Sequence, residues 1–418
     1  MRCLTLVATG SLCLLVACGG GGGSSSGGNT TNPPSTPQTA EGRFIDTAVE
    51  GLSFSSGDQT GTTDGEGTFT YEVGQNVTFS VGSVDIGSVM GGDIITPVDL
   101  TASNSTMSDT QNIVRFLLML DVDADSSNGI TISNEVQLMA ENWTQVDFAS
   151  SNFEANLATI ISDVAAVDNR TPILPSAMAA QAHLEETLAC LSSGIFKGTY
   201  SGQDNGSFLL WVQHERYDPL VFGDANPRVG VTSALVFSTD ENVVSGVAPQ
   251  QGLSFDSDQS FISGLVSTGA EFTGELVGFA AIANGNWVNS IFNESGTFSG
   301  ERIGGSDDAV YRLSGFFNLQ GMDFSADNTG VVALDIFDDN SVTGVMVTLR
   351  GDETTLTGTR TGNSISVSGG NNNFTLSFDP DGTDSSNDLA LGTTSGFIGT
   401  MSNASGTNDV IGTSCELD

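Results

Sequence analysis

Four kinds of segment follow one another along the chain when its apolar and polar positions are compared. Residues 4–16 are mostly apolar, whereas residues 19–37 are Gly, Ser, Thr, Asn and Pro with almost no apolar side chain. Residues 41–100 alternate between apolar and polar, which predicts strands. Residues 101–193 carry apolar side chains at helical spacing, and period-two alternation with frequent glycine returns from residue 194 onward.

These patterns predict a mainly β, multi-domain chain. We expect a small N-terminal β sandwich, a helical subdomain with an Asp-rich loop, and a C-terminal antiparallel meander that forms one or two soluble barrels or sandwiches. The predicted segments are a signal peptide (1–17), a flexible tether (18–40), a small β module (41–100), a helical subdomain (101–193) and two β units (194–304 and 305–418).

The N-terminal β module is predicted from turn punctuation and alternation. Residues 63–71 combine Asp-Gly and Gly-Thr turns with alternating side chains, and Val77, Phe79 and Val81 alternate with polar residues. On these residues the segment resembles the small sandwich modules of bacterial surface lipoproteins and adhesins.

Three apolar stripes predict helices in the helical subdomain, and we interpret them as core packing. Asp109 is a candidate cap for the first, Pro175 a candidate first-turn residue of the third, and His183 lies on the third stripe. The stripes are Ile113, Phe116, Leu117 and Leu120; then Phe153, Leu157, Ile160, Ile161 and Val164; then Ala179, His183, Leu184 and Leu188.

Short strands about ten residues apart are expected in the C-terminal region, with His214 in a loop. Two related β units are favoured by a loose repeat, because 204–212 echoes 327–337; one larger barrel is the alternative. The glycine-punctuated strands resemble C-terminal barrels of transferrin-binding-type lipoproteins. Polar residues on both faces argue against a transmembrane barrel. The predicted strands are 208–212, 234–237, 261–264, 296–300, 331–337, 342–349, 364–368 and 374–378.

The N-terminus has the features of an export signal. A short basic start and an apolar run, too short to span a bilayer, precede Leu-Val-Ala-Cys at 15–18. This resembles the lipobox of bacterial lipoproteins, which implies acylation of Cys18 and a membrane partner reached through the acyl chains. Gly19 takes the place of the aspartate that often retains lipoproteins in the inner membrane, so the resemblance implies an outer-membrane location in a Gram-negative host, or otherwise a cell-surface location. An ordinary signal peptide with an incidental cysteine is the alternative.

Charge and cysteine content agree with an extracytoplasmic protein. Asp and Glu total 50 against 11 Lys and Arg, a formal net charge of −39, which argues against a nucleic-acid partner. Cys190 and Cys415 are the cysteines that remain after processing and acylation. In an oxidising compartment such a pair predicts a disulfide, with two isolated buried thiols as the alternative.

One segment carries metal-binding chemistry. Asp121, Asp123 and Asp125 alternate as in the opening of an EF-hand loop, and calcium prefers several oxygen ligands. The glycine comes late: if Gly129 is the loop glycine, Glu135 closes the site; if Asn128 is, Asn134 does. We predict structural calcium bound by Asp121, Asp123, Asp125, Asn128 and Glu135, with a solvated acidic turn as the alternative. This loop and its flanking residues, 112–117 and 127–130, resemble a segment of surface lipoproteins that follows the same kind of β module.

The sequence predicts no catalytic residues, because none of the usual hydrolase, metalloprotease or phosphate-loop motifs is present. We therefore expect a non-catalytic lipoprotein with a binding, adhesive or envelope-structural role and a protein or glycan ligand. The alternatives are a solute-binding co-receptor of a transporter and a surface polysaccharide hydrolase that uses a carboxylate pair.

Overall fold

The computed structural model divides the chain into Met1–Pro37 and Gln38–Asp418. Every helix and strand given below belongs to the second unit. Cys18, the signal peptide and nearly all of the tether lie outside the described residues. The structure describes residues 37–101, 107–126, 128–216, 229–238, 244–246, 254–255, 260–263, 270–306, 308–317, 329–348, 351–379 and 396–417.

The N-terminal β module consists of two small sheets packed face to face. One has the order β5-β1-β8 and the other β4-β3-β6-β7. Alternate residues of β6 are buried, and Phe79 lies 4.8 Å from the ring of Phe44 and 5.0 Å from that of Phe69. The first strand takes up the last two residues of the predicted tether. The strands are β1 (Thr39–Phe44), β2 (Val49–Glu50), β3 (Ser53–Ser56), β4 (Gln59–Thr62), β5 (Thr68–Glu72), β6 (Asn76–Val81), β7 (Val84–Met90) and β8 (Ile94–Ile95).

The helical subdomain contains five helices and one short strand among its described residues. The three predicted apolar stripes are confirmed as helical, and their apolar residues pack into the cores except for the exposed Ala179. None of the described helices is both long and apolar enough to cross a bilayer. The elements are α1 (Met107–Leu120), β9 (Ile130–Thr131), α2 (Asn134–Ala140), α3 (Phe153–Asn156), α4 (Ala158–Val167) and α5 (Ala177–Ser192).

Four details of the helix prediction were wrong. Asp109, the candidate cap of the first helix, lies inside the first turn of α1, which begins at Met107. The second stripe is divided between α3 and α4 at Leu157, and α2 was not predicted. Pro175 lies outside α5, because Ser176 is the N-cap and its hydroxyl accepts from Ala179 N–H (3.1 Å). The Pro175 carbonyl instead accepts from Arg115 Nε (2.7 Å).

A nine-stranded antiparallel sheet follows α5, with the order β13-β12-β11-β10-β18-β17-β16-β15-β14. Its central pair joins the first strand to the last. His214 belongs to β11, so its predicted loop position was wrong. The strands are β10 (Gly194–Gly202), β11 (Gly206–Arg216), β12 (Val229–Ser238), β13 (Val244–Gly246), β14 (Ser254–Phe255), β15 (Ser260–Ser263), β16 (Ala270–Val277), β17 (Ala281–Asn289) and β18 (Glu294–Gly304).

The last eight strands form a closed antiparallel barrel, which confirms the mainly β fold class. The barrel closes because the first strand, β19, pairs with both the second and the last. It is a sheet separate from the nine-stranded one, so the single larger barrel is not formed. The strands are β19 (Tyr311–Phe317), β20 (Gly330–Ile336), β21 (Ser341–Thr348), β22 (Glu353–Thr361), β23 (Ser364–Gly369), β24 (Asn372–Asp379), β25 (Gly396–Asn403) and β26 (Gly406–Glu416).

The outside of the barrel packs against the nine-stranded sheet through a small apolar cluster. It consists of Ile195, Leu209, Val331, Ala333, Val345 and Val347. A buried ion pair lies on the same outer face, with Arg312 Nε 3.1 Å from Asp335 Oδ1. Burial raises the pKa of Asp335 more than the arginine lowers it. Desolvation therefore offsets much of the attraction, so this pair mainly fixes how the surfaces meet.

The C-terminal end of α5 meets both β units. The Leu191 carbonyl accepts from Arg302 Nη1 (2.8 Å) and from Arg312 Nη1 (2.9 Å). Cations are favourable here because they satisfy a carbonyl without a helical partner and complement the negative end of the helix dipole. Next to this carbonyl, Cys190 and Cys415 form a disulfide with 5.8 Å between their Cα atoms. The helix is thereby tied to the last strand of the barrel.

Candidate functional site

The Asp-rich loop connects the end of α1 to β9 and fastens the helical subdomain to the N-terminal module. β9 pairs in parallel with β2. Ile130 N–H donates to the Ala48 carbonyl (2.8 Å) and Ile132 N–H to the Glu50 carbonyl (3.0 Å). The C-terminal end of the loop is thus fixed by backbone hydrogen bonds to a second part of the fold.

Asp121 begins the loop and is almost fully buried, with 1% of its surface exposed. One carboxylate oxygen, Oδ1, accepts from Thr131 N–H (3.1 Å). The other oxygen, Oδ2, is buried without a hydrogen-bond partner among the described residues. Burial raises the pKa of Asp121, and the neighbouring Asp123 carboxylate raises it further, against the opposing effect of the Thr131 hydrogen bond.

Asp123 is exposed and bonded within the loop. Its carboxylate accepts from Asp125 N–H (3.0 Å) and from Asn128 Nδ2 (3.0 Å). These hydrogen bonds, chiefly the one from Asn128, lower the pKa of Asp123. Asp121 and Asp123 therefore lie side by side in opposite environments, one desolvated and one solvated.

The five predicted ligands are not brought together. Asp125 is exposed, and Glu135 is exposed in the first turn of α2. The described ranges contain no group of three or more His, Cys, Asp or Glu side chains placed to hold a metal. The reason is the early start of α2: Ser133 caps it, so Glu135 follows the helix and complements its dipole. Asp121, Asp123 and Asn128 are the predicted residues that the loop does gather.

A buried acid and histidine form a second cluster, which sequence reasoning missed. Asp46, just after β1, is fully buried, and both its carboxylate oxygens lack hydrogen-bond partners in the described part of the chain. His183 Nε2, on α5, lies 3.0 Å from the Asp46 carbonyl oxygen and 3.4 Å from Oδ1. Burial alone would lower the pKa of His183, but Asp46 outweighs it and raises that pKa to about 9. The pair therefore favours an imidazolium that bridges the N-terminal module and α5.

No signal in the sequence distinguished Asp46 from other acidic residues, because its importance depends on a partner 137 positions away. His183 is held by this pair, and the side chain of His214 lies outside what the structure describes. The predicted absence of catalytic residues stays a prediction.

Comparisons with known proteins identify no family. No family model matches the chain, and no curated protein matches it. One solved structure is matched, a protein of unknown function from the DUF3598 family of Nostoc punctiforme PCC 73102. The match has 10% identity and a TM-score of 0.15, and it covers 56% of this chain and 98% of the other. A TM-score this low does not indicate a shared fold.

Proposed function

We propose that the protein is a lipid-anchored, non-catalytic envelope lipoprotein with a calcium-stabilised Asp-rich loop, and that it presents its two β units for binding or adhesion. The acyl anchor on Cys18 is supported by the lipobox and the polar segment that follows it. The proposed setting is the outer membrane or cell surface.

The observation that carries the calcium proposal is the buried, unpartnered Oδ2 of Asp121 beside the Asp123 carboxylate. The raised pKa means that ionising Asp121 in the folded state costs free energy as pH rises through that pKa. A divalent cation beside both carboxylates would offset this cost, since calcium prefers carboxylate and amide oxygens. Asp121 and Asp123 would hold it, with Asp125 and Asn128 as the adjacent oxygen donors, and the loop would then be locked to β2.

Calcium is expected to stabilise the full chain against thermal and urea unfolding relative to chelator-treated protein. The gain is about 2 kcal/mol when free calcium is about thirty times Kd, and a millimolar calcium range is appropriate for an extracellular site. Native mass spectrometry should show one added calcium that chelation removes. Asp121→Asn and Asp123→Asn should each abolish the gain.

The matched control is Asp339→Asn, in an exposed turn where the carboxylate accepts from Ser341 N–H (2.8 Å). This variant should keep the full calcium response. Without calcium, Asp121→Asn should be at least as stable as the wild type, because it removes a buried charge and retains Oδ1 for Thr131. An unchanged calcium response in Asp121→Asn would contradict the proposal.

Acylation of Cys18 is expected to place the protein in the membrane fraction of its host. Cys18→Ala should release it into the soluble fraction and eliminate the lipid mass from the N-terminal peptide, since the chains supply the anchoring. Cys3→Ala serves as the control, because it removes a cysteine of the signal region that is not the proposed acylation site. Wild-type protein with an unmodified N-terminal peptide would overturn this part of the proposal.

A further inference from the structure

The interior of the closed barrel contains one large apolar cluster. Side chains alternate between inside and outside along each strand, so the buried residues identify the inward positions. The interior cluster includes Leu313, Leu356, Phe374 and Phe378, each at most 1% exposed. Among the inward positions of the described strands, Arg360 and Glu416 are the charged ones, and both lie at the end of the barrel where β22 and β26 terminate.

Three residues form this end of the barrel, which we call the barrel mouth: Tyr311, Arg360 and Phe378. The Arg360 guanidinium lies over both aromatic rings. The guanidinium carbon is 5.3 Å from the Tyr311 ring centroid and 5.0 Å from the Phe378 centroid. The two rings are in edge contact, with centroids 5.3 Å apart. Arg360 Nε donates to the Gly362 carbonyl (2.9 Å), which fixes the orientation of the half-buried guanidinium.

The terminal nitrogens of Arg360 have no hydrogen-bond acceptor among the residues that the structure describes. Throughout the described ranges, no protein acceptor bonds to Nη1 or Nη2, and no carboxylate forms an ion pair with Arg360. Other described cations do have acidic partners: Arg115 pairs with Glu154, Arg170 with Asp168 and Lys197 with Glu353. An arginine without a carboxylate is unexpected in a chain with 50 acidic residues against 11 basic ones.

A guanidinium stacked on rings keeps its donors in its own plane, and these donors match the two oxygens of a carboxylate. The rings beside it offer contact area to an apolar group. We propose that the barrel mouth binds an organic anion, specifically a carboxylate carried on an alkyl or aryl body, with Arg360 contacting the carboxylate and Tyr311 and Phe378 contacting the body. The packed interior restricts the ligand to the mouth.

Glu416 is the charge that opposes this site. It is exposed on β26, directly across from Tyr311 in the strand register. No ion pair joins its carboxylate to Arg360, so among the described residues this carboxylate does not occupy the guanidinium. A negative ligand would nonetheless be repelled by Glu416, which predicts that neutralising this residue strengthens anion binding.

The test is a titration of the full chain with sodium octanoate, 1-octanol and inorganic phosphate, followed by calorimetry and by the NMR signal of the Arg360 Nε–H group. We expect octanoate to bind in the submillimolar to millimolar range and to shift the Arg360 signal. Octanol and phosphate should each bind at least about tenfold more weakly. Octanol lacks the carboxylate that Arg360 would contact, and phosphate lacks the alkyl body that the two rings would contact.

Variants of Arg360 and Glu416 test whether octanoate binds at the barrel mouth. Arg360→Met should weaken octanoate binding at least about tenfold, Arg360→Lys should weaken it less, and Glu416→Gln should tighten it. Lys197→Met is the matched control, because it removes a positive charge that pairs with Glu353 at the other end of β22. Unfolding curves of each variant exclude loss of folding as the cause, and Arg360→Lys keeps the test valid if Arg360→Met unfolds.

Three results would overturn the inference. They are no octanoate binding at 10 mM or so, equal affinity for octanoate in wild-type and Arg360→Met protein, and octanol or phosphate binding as tightly as octanoate.

Discussion

Replacing Cys190 and Cys415 together with serine is expected to lower the free energy of unfolding by as much as about 5 kcal/mol. The disulfide closes a loop of 225 residues, and a cross-link over a long loop removes much conformational entropy from the unfolded chain. It also ties α5 to the last barrel strand, at the place where the Leu191 carbonyl receives two arginines. Urea unfolding of the full chain, followed by circular dichroism, measures the change.

Reduction provides the control for this prediction. A thiol reductant should destabilise the wild type toward the Cys190→Ser/Cys415→Ser variant and leave the variant itself unchanged. Both cysteines are at most 8% exposed, so reduction requires partial unfolding and long incubation. Equal stability of oxidised wild type and double variant would refute the expectation.

Raising pH from 6.5 to above 9 is expected to cost about 3 kcal/mol of folding free energy through His183. The pKa of His183 is raised from 6.5 to about 9 in the folded protein. Since the folded state holds the proton more tightly, the stabilisation is fully present below pH 6.5 and is lost as pH rises through 9. Urea unfolding at pH 6, 7, 8, 9 and 10 measures this loss.

Asp46→Asn is the informative variant for the histidine. Without the carboxylate, burial should prevail and the alkaline loss should disappear, so that near pH 6 the variant should be less stable than the wild type. His183→Gln should give the same flat profile. If Asp46→Asn keeps the wild-type pH slope, then another group titrates in this range and the assignment to His183 is wrong.

The local pattern of apolar and polar residues was sufficient to predict much of the fold. Val77, Phe79 and Val81 identified β6, and the spacing of Ile113, Phe116, Leu117 and Leu120 identified α1, because each element buries one regular face. Helix α2 was missed since its seven residues bury only Val136 and Ala140, while Leu138 is 65% exposed. Two buried positions are too few to establish a period.

The pairing of distant strands and the tertiary partners of single side chains could not be predicted in the same way. The pairing of β10 with β18 and of β19 with β26 joins distant segments, and several strands can satisfy one alternating pattern. For the same reason Glu135 was assigned to the Asp loop by counting, although the Ser133 cap directs it into α2. Asp46 and Arg360 acquire their roles from tertiary neighbours, so neither carried a signal in the sequence.

The pairing of β19 with β26 makes the barrel complete only when the final strand has been delivered. A chain emerges progressively during synthesis, so the seven earlier strands must wait with two unpaired edges, each able to join a neighbouring chain. Contacts between the two ends of a sheet also form slowly, because a long loop must close first. Any chain that ends before residue 406 would therefore present open edges permanently, which makes truncated protein prone to aggregation rather than merely less stable.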